Sequence, residues 1–146
     1  ALTNDGDWEL QVDLTDWDDK VYDAKYSEFS VGSAPTYQLQ VEGFDDENST
    51  LGDSLAYHNW SNFTTYDVDN DKYSGNCAKI YTGAWWYNGC YTSNLNGNNF
   101  GQQITDSKGI RWNYVGDRGN SGKTWKASVM KIRKINGNVS NLTLLY

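Results

Sequence analysis

An acidic segment constrains this chain more than any other feature. Asp67, Asp69 and Asp71 alternate along it, Asn70 lies among them, and Gly75 permits a sharp bend. Side-chain and main-chain oxygens at such a spacing suit Ca²⁺, which takes about six to eight oxygen ligands in a tolerant geometry. We therefore expect a calcium-binding loop here.

Two cysteines follow this loop. Cys77 and Cys90 are the only cysteines, and a short strand-like run leads from the first of them to the aromatic cluster Trp85, Trp86 and Tyr87. The simplest interpretation is one disulfide that ties the acidic loop to the aromatic cluster, although the count alone also permits two free thiols. A disulfide that closes so short a loop contributes about 3 kcal/mol in the chain-entropy account. We expect the two tryptophans to belong to the core or a pocket wall.

Composition excludes several functions. A net charge of −7 with 12 scattered basic residues argues against nucleic acid, which needs clustered Lys and Arg. No run of about 18 apolar residues predicts a membrane span, and no charged-then-apolar leader opens the chain, although a removed leader would leave the same picture. His58 is the only histidine, and no Ser-His-Asp pattern accompanies it. We therefore expect a hydrogen-bonded structural histidine and no enzyme.

Alternation of apolar and polar residues predicts an antiparallel sheet. Residues 8–14, 21–31 and 37–44 have the period of two that is typical of half-buried strands. Pro35 interrupts the pattern between the second and third of these segments. The last predicted strand is 124–133, and no long helix is indicated. The fold class is α+β: one antiparallel sheet and a large, loop-rich half pinned by a cation and a disulfide.

Five sequons point to an oxidising, extracellular setting. They begin at Asn48, Asn59, Asn62, Asn138 and Asn141. A chain rich in Asn, Ser and Thr contains one or two such triplets by chance, so the set is suggestive. With the paired cysteines it predicts a secreted glycoprotein.

Several motifs in order resemble the fibrinogen C-terminal (fibrinogen-related) domain. They are residues 8–14, 52–59, 67–71, 75–77, 83–90, 93–97 and 130–133. The block Gly-Ala-Trp-Trp-Tyr at residues 83–87 is highly specific for this family. The resemblance runs from about residue 8 to residue 134, so one domain over 1–146 is expected, made of the family's central and C-terminal subdomains. The family's N-terminal subdomain would precede Ala1.

The resemblance sharpens the expected metal site. It implies calcium ligands from the carboxylates of Asp69 and Asp71 and from the main-chain carbonyls of Tyr73 and Gly75, with Asp67 in an outer shell. The family also favours a cis peptide before the second cysteine, which corresponds here to residues 89 and 90.

The resemblance also implies a pocket for acetylated ligands, as in the lectin members of the family. The matching positions in this chain are Cys77, Tyr81, Cys90, Tyr91, Asp106 and Ser107. Tyr91 stands where the family usually has histidine, and Asp106 stands where an aromatic wall is common. A carboxylate at the rim predicts a preference for neutral N-acetylated glycans over acidic ones.

Two classes of function follow from this resemblance. The first is a non-catalytic, calcium-dependent lectin of innate immunity that binds N-acetylated or microbial surface glycans. Its copies would be displayed on an oligomer formed through the N-terminal region, which would raise the avidity. The second is a protein-interaction module like the family's receptor-ligand, matrix and clotting members.

Overall fold

The computed structural model describes Thr3, residues 5–116 and 122–135, and the main chain of Thr143–Leu145. A five-stranded antiparallel sheet has the order β3-β2-β1-β6-β7, and β4 and β5 form a separate two-stranded ladder. The strands are β1 (Trp8–Thr15), β2 (Val21–Val31), β3 (Leu39–Phe44), β4 (Ser93–Asn94), β5 (Arg111–Trp112), β6 (Ala127–Lys134) and β7 (Thr143–Leu145).

The sheet follows the alternation of the sequence. Every second residue of β1, from Trp8 to Leu14, is buried, because side chains of a strand point alternately to its two faces. The outer face carries cross-strand ion pairs between β1 and β6, including Asp13 with Lys131. The four strands predicted from periodicity are confirmed, with ends that differ by a few residues. The strand β7 lies beyond the last predicted one and pairs with β6.

The other half of the molecule is mostly loop. Among the described residues the one α-helix is α1 (Cys77–Tyr81), and one 3-10 turn covers Ala56–His58. The strand-like run predicted after Cys77 is wrong, because the Asn76 side chain accepts a hydrogen bond from the main-chain N–H of Lys79 and so caps a helix there. Neither helical segment, in the part of the chain described, has the length and apolar character needed to cross a membrane.

Close main-chain packing fixes the loops of this half. A Cβ added at Gly97 would lie 2.0 Å from the carbonyl oxygen of Gly109, so only glycine permits this approach. The Asn98 N–H donates to the carbonyl of Lys108 beside it. The indole of Trp112 is buried and donates to the carbonyl of Gly52. These contacts hold the segment that leads from residue 106 into β5.

Candidate functional site

A disulfide joins the acidic loop to the segment after the aromatic cluster. Cys77 and Cys90 are bonded to each other, with Cα atoms 5.7 Å apart, which confirms the predicted pair. Cys77 begins α1, and Tyr81 ends it. The peptide between Gly89 and Cys90 is cis. The disulfide therefore brings the end of α1 and the segment beginning at Gly89 to one place.

A cavity of about 320 Å³ opens beside this disulfide. Four predicted residues, Tyr81, Cys90, Tyr91 and Ser107, line it. Three residues that were not predicted to belong to this pocket complete the wall: Gly89, Arg111 and Asn113. The cavity thus combines a sulfur atom and two aromatic rings with a guanidinium and an amide.

The two tyrosines form one wall of this cavity. The rings of Tyr81 and Tyr91 meet edge to face, with centroids 5.0 Å apart. The Tyr91 hydroxyl donates to the carbonyl of Ser107 at 2.6 Å, which fixes the ring against the opposite loop. Burial raises the pKa of this hydroxyl, and the nearby charge of Arg111 opposes the rise. Tyr91 is therefore a protonated donor at neutral pH.

Two predicted residues do not line the cavity. Cys77 is fully buried behind Cys90 in the core of the loop half. The carboxylate of Asp106 turns back to accept the N–H of Lys108 at 2.8 Å. The main-chain carbonyl of Asp106 accepts a hydrogen bond from Arg111 at 3.3 Å. Asp106 therefore contributes by positioning Arg111, and the charged side chain in the wall is basic.

The acidic loop is ordered by its own carboxylates. Asp71 accepts the N–H of Tyr73 and the N–H of Cys77, each at 2.9 Å. Asp69 accepts the N–H of Asp71 at 3.3 Å. Burial and the neighbouring charge of Asp69 raise the pKa of Asp71, although its two main-chain hydrogen bonds lower it. Asp67 accepts the hydroxyl of Thr65.

The donors in this loop fit a hard cation. Two carboxylates stand side by side, and their repulsion would be relieved by a positive charge. The carbonyls of Tyr73 and Gly75 accept no hydrogen bond within the described part of the chain. No three acidic, histidine or cysteine side chains of the described residues converge there, so a calcium ion would need these carbonyls and water beside Asp69 and Asp71. Calcium would supply charge neutralisation and a fixed loop.

The acidic loop is linked to the cavity through the main chain. The N–H of Lys72 donates to the carbonyl of Asn88 at 3.0 Å. Asn88 precedes the cavity residues Gly89 and Cys90, and its own N–H donates to the carbonyl of Cys90 at 2.8 Å. The main chain of the acidic loop is therefore hydrogen-bonded to Asn88, the residue that leads into the cavity wall.

His58 is a structural residue in this arrangement. It is fully buried, with Nδ1 2.8 Å from the carbonyl oxygen of Trp86. Its Nε2 accepts the N–H groups of Thr92 and Ser93, each at 3.1 Å. The ring is thus neutral with the proton on Nδ1, and burial lowers its pKa to about 4. Neither nitrogen is free to act as a general base.

The fold and this site match one known family. A family model described as "Fibrinogen beta and gamma chains, C-terminal globular domain" matches residues 1–135. The chain belongs to this fibrinogen C-terminal domain family. The match ends close to the limit expected from the motifs.

Relatives of this fibrinogen C-terminal domain fall into several kinds of protein. Fibrinogen-like protein A of Apostichopus parvimensis is 44% identical over 117 residues, which cover 78% of this chain and 40% of that protein. Human ficolin-3 is 44% identical over 113 residues, which cover 76% of this chain and 37% of that protein. Tenascin of Gallus gallus is 44% identical over 112 residues, which cover 76% of this chain and 6% of that protein. The chain spans less than half the length of these relatives.

Solved structures show the same fold. The fibrinogen-like globe domain of human ANGPTL2 aligns with a TM-score of 0.81 at 35% identity, covering 92% of this chain and 62% of that one. Lamprey fibrin D-dimer, solved with the peptide ligand Gly-His-Arg-Pro-amide, aligns with a TM-score of 0.79 at 28% identity. The alignment covers 96% of this chain and 49% of that one.

The sequons of this fibrinogen C-terminal domain differ in accessibility. Asn48 is exposed in a turn, where its amide donates to the carboxylate of Asp45. The amide oxygen of Asn59 accepts the N–H of Val41 in β3. Asn62 is half-buried. The sequons at residues 138 and 141 lie outside the described residues.

The three additional residues of the cavity gave weak sequence signals. Arg111 and Asn113 flank the buried Trp112 on the strand side of the cavity. Alternation about a buried tryptophan places its two neighbours on the opposite face, so their shared direction could have been inferred. Their position next to the disulfide depends on pairing between β4 and β5, which four strand residues cannot predict.

Proposed function

We propose that this domain is a calcium-stabilised, non-catalytic lectin that binds N-acetylated groups of microbial or other surface glycans. The single observation that carries the proposal is the cavity in which two tyrosine rings, the disulfide and polar groups converge. An acetyl group has the matching chemistry, because its methyl can pack on rings while its carbonyl accepts hydrogen bonds.

Main-chain donors support this assignment. The N–H groups of Cys90 and Tyr91 donate to no acceptor within the described residues, although both residues line the cavity. An unpaired N–H in a partly buried place favours a ligand that brings an acceptor. The carbonyl of an acetyl group would be such an acceptor. The similarity to ficolin-3, a lectin-like relative, also supports the lectin proposal.

Calcium would act on the wall of this cavity and not on the ligand. Asp69, Asp71 and the carbonyls of Tyr73 and Gly75 would hold the ion, which would fix the main chain up to Asn88. We infer an extracellular location as well, because the disulfide is typical of oxidising compartments.

Retention on an acetylated resin tests the lectin proposal. In calcium, the domain should bind immobilised N-acetylglucosamine and acetylated albumin, and it should pass through unmodified albumin. Tyr81→Ala removes half of the aromatic wall and should abolish retention. Tyr66→Ala is the matched control, because Tyr66 is 72% exposed and lies outside the cavity. Equal behaviour on the acetylated and unmodified matrices would contradict the proposal.

The second candidate is a protein-interaction module, and one observation favours it. The lamprey fibrin neighbour was solved with a short peptide, so the fold accommodates peptide ligands in that protein. Fibrinogen-related domains are in general non-enzymatic interaction modules. This candidate would be favoured if the domain bound no acetylated matrix but bound a peptide from a displayed library, and if Tyr81→Ala abolished the peptide binding.

A further inference from the structure

The cavity wall contains a buried charge that has no counterion among the described residues. Arg111 is 9% exposed. Its guanidinium donates to the carbonyl of Asp106 at 3.3 Å and to the amide oxygen of Asn113 at 3.2 Å. Both partners are neutral groups. No carboxylate of the described residues forms an ion pair with Arg111.

A charge in this position is costly unless something neutralises it. Buried ionised groups are normally paired, because loss of hydration costs several kcal/mol per ion. A guanidinium also has more N–H donors than these two bonds use, in a planar fork that matches a carboxylate. Since Arg111 lines an open cavity, an anion could reach it from solvent.

The electrostatics of the neighbouring tyrosine point the same way. Burial raises the pKa of the Tyr91 hydroxyl most, Arg111 opposes this rise, and Tyr81 and Asp106 each add to it by less than Arg111 subtracts. The strongest single charge acting on this hydroxyl is therefore positive, although the domain carries a net charge of −7. This reverses the charge expected from Asp106 at the rim.

We propose that the cavity selects N-acetylated sugars that also carry a carboxylate, with Arg111 as the residue that binds the carboxylate. The proposal rests on the lectin function above and names its ligand class. The acetyl group packs against Tyr81 and Tyr91 while the carboxylate meets the guanidinium on the side of Asn113. N-acetylmuramic acid is a suitable probe, because it is N-acetylglucosamine with an ether-linked lactate.

Three sugars separate the acetyl group from the charge. N-acetylmuramic acid, its uncharged lactyl amide and N-acetylglucosamine are titrated by NMR into the calcium-loaded domain. A charge-assisted hydrogen bond predicts about tenfold tighter binding of the acid than of either neutral sugar. Equal affinity for all three would overturn the selectivity and leave the lectin function standing. Binding of none would overturn both.

Asn113→Asp tests the role of Arg111 without removing it. The new carboxylate would lie where the Asn113 amide oxygen now accepts a hydrogen bond from the guanidinium. It would therefore form an ion pair with Arg111 inside the protein and neutralise its charge. The preference for the acid over N-acetylglucosamine should disappear, whatever happens to the absolute affinity for either sugar. Gln40→Glu makes the same charge change at an exposed position of β3 and should keep the preference.

Arg111→Lys gives a second, independent variant. Lysine keeps the positive charge but lacks the planar fork, so the tenfold preference should fall without being inverted. A folded Asn113→Asp domain that still prefers the acid by tenfold would show that another group binds the carboxylate, and it would overturn the assignment to Arg111.

Discussion

At the scale of single residues, His58 connects three segments of the loop half. It belongs to the 3-10 turn Ala56–His58, contacts the carbonyl of Trp86, and accepts two N–H groups that follow the disulfide. Protonation of Nε2 would place a new proton against those two N–H groups. The ring therefore holds the segments together only in its neutral form.

This histidine should make the domain sensitive to mild acid. Its pKa is about 4 in the folded state and about 6.5 in an unfolded chain, so the unfolded state takes up the proton first. The stabilisation is fully present above about pH 6.5 and is lost as the pH falls toward 4. Between pH 6.5 and pH 5 the free energy of unfolding should fall by about 2 kcal/mol on this account.

Urea denaturation at fixed calcium measures this effect. His58→Gln removes the titrating ring, so the variant should be less stable at pH 7 but should lose less stability between pH 6.5 and 5 than the wild type does. Wild-type and variant curves that fall in parallel over that interval would exclude His58 as the cause.

At the scale of elements, period-two strands were predictable and short elements were not. The strands β1, β2, β3 and β6 each have one buried face, so alternation reveals them. The helix α1 has five residues, too few for a 3.6-residue pattern, and its cap at Asn76 lies inside an acidic, glycine-containing loop. A disulfide could be expected there, but the local conformation could not.

Prediction of the cavity was limited for a different reason. Tyr81, Cys90, Tyr91 and Ser107 were found because family motifs surround them. Arg111 and Asn113 reach the cavity only through the pairing of β4 with β5, which is a tertiary contact. Asp106 was expected at the rim, yet an Asx-type hydrogen bond to the N–H of Lys108 turns its carboxylate away.

The acidic loop is the element in which calcium can be tested. We expect Ca²⁺ to raise the melting temperature by several degrees, because saturation at a hundredfold over Kd stabilises by about 2.7 kcal/mol. Asp69→Ala should abolish the calcium-dependent shift, since it removes one of two carboxylate ligands. In EDTA the variant should differ little in stability from the wild type, because relief of the repulsion between Asp69 and Asp71 offsets the loss of the hydrogen bond that Asp69 accepts from the Asp71 N–H.

Scanning calorimetry in calcium and in EDTA makes this comparison. Asp46→Ala is the matched control, because it removes one negative charge at an exposed position of another loop. It should keep the full calcium shift. An unchanged shift in Asp69→Ala would rule out this residue as a calcium ligand.

At the scale of the whole molecule, stability and recognition are divided between the two halves. The sheet buries a continuous apolar face, whereas the loop half depends on the disulfide, buried aromatic rings and main-chain hydrogen bonds. The candidate site lies entirely in the loop half, next to the elements that pin it. A binding surface can therefore vary in sequence there without altering the alternation on which the sheet depends.

A single cavity of this size should bind a sugar weakly. Small ligands gain at most about 1.5 kcal/mol per heavy atom and usually much less, and only the acetyl end of a sugar would be enclosed. Several domains on one scaffold would convert later contacts into intramolecular ones. Such multivalency raises apparent affinity by about 10²- to 10⁴-fold without any new contact.

Fusion to a tetramer-forming coiled coil tests this expectation. The tetramer should bind a densely acetylated surface at least about a hundredfold more tightly than the monomeric domain does. Its affinity for free N-acetylglucosamine, measured per cavity, should not change, because the cavity itself is the same. Tyr81→Ala in all four copies should abolish the gain, whereas Tyr66→Ala should preserve it. Equal surface binding by monomer and tetramer would contradict recognition through weak, repeated contacts.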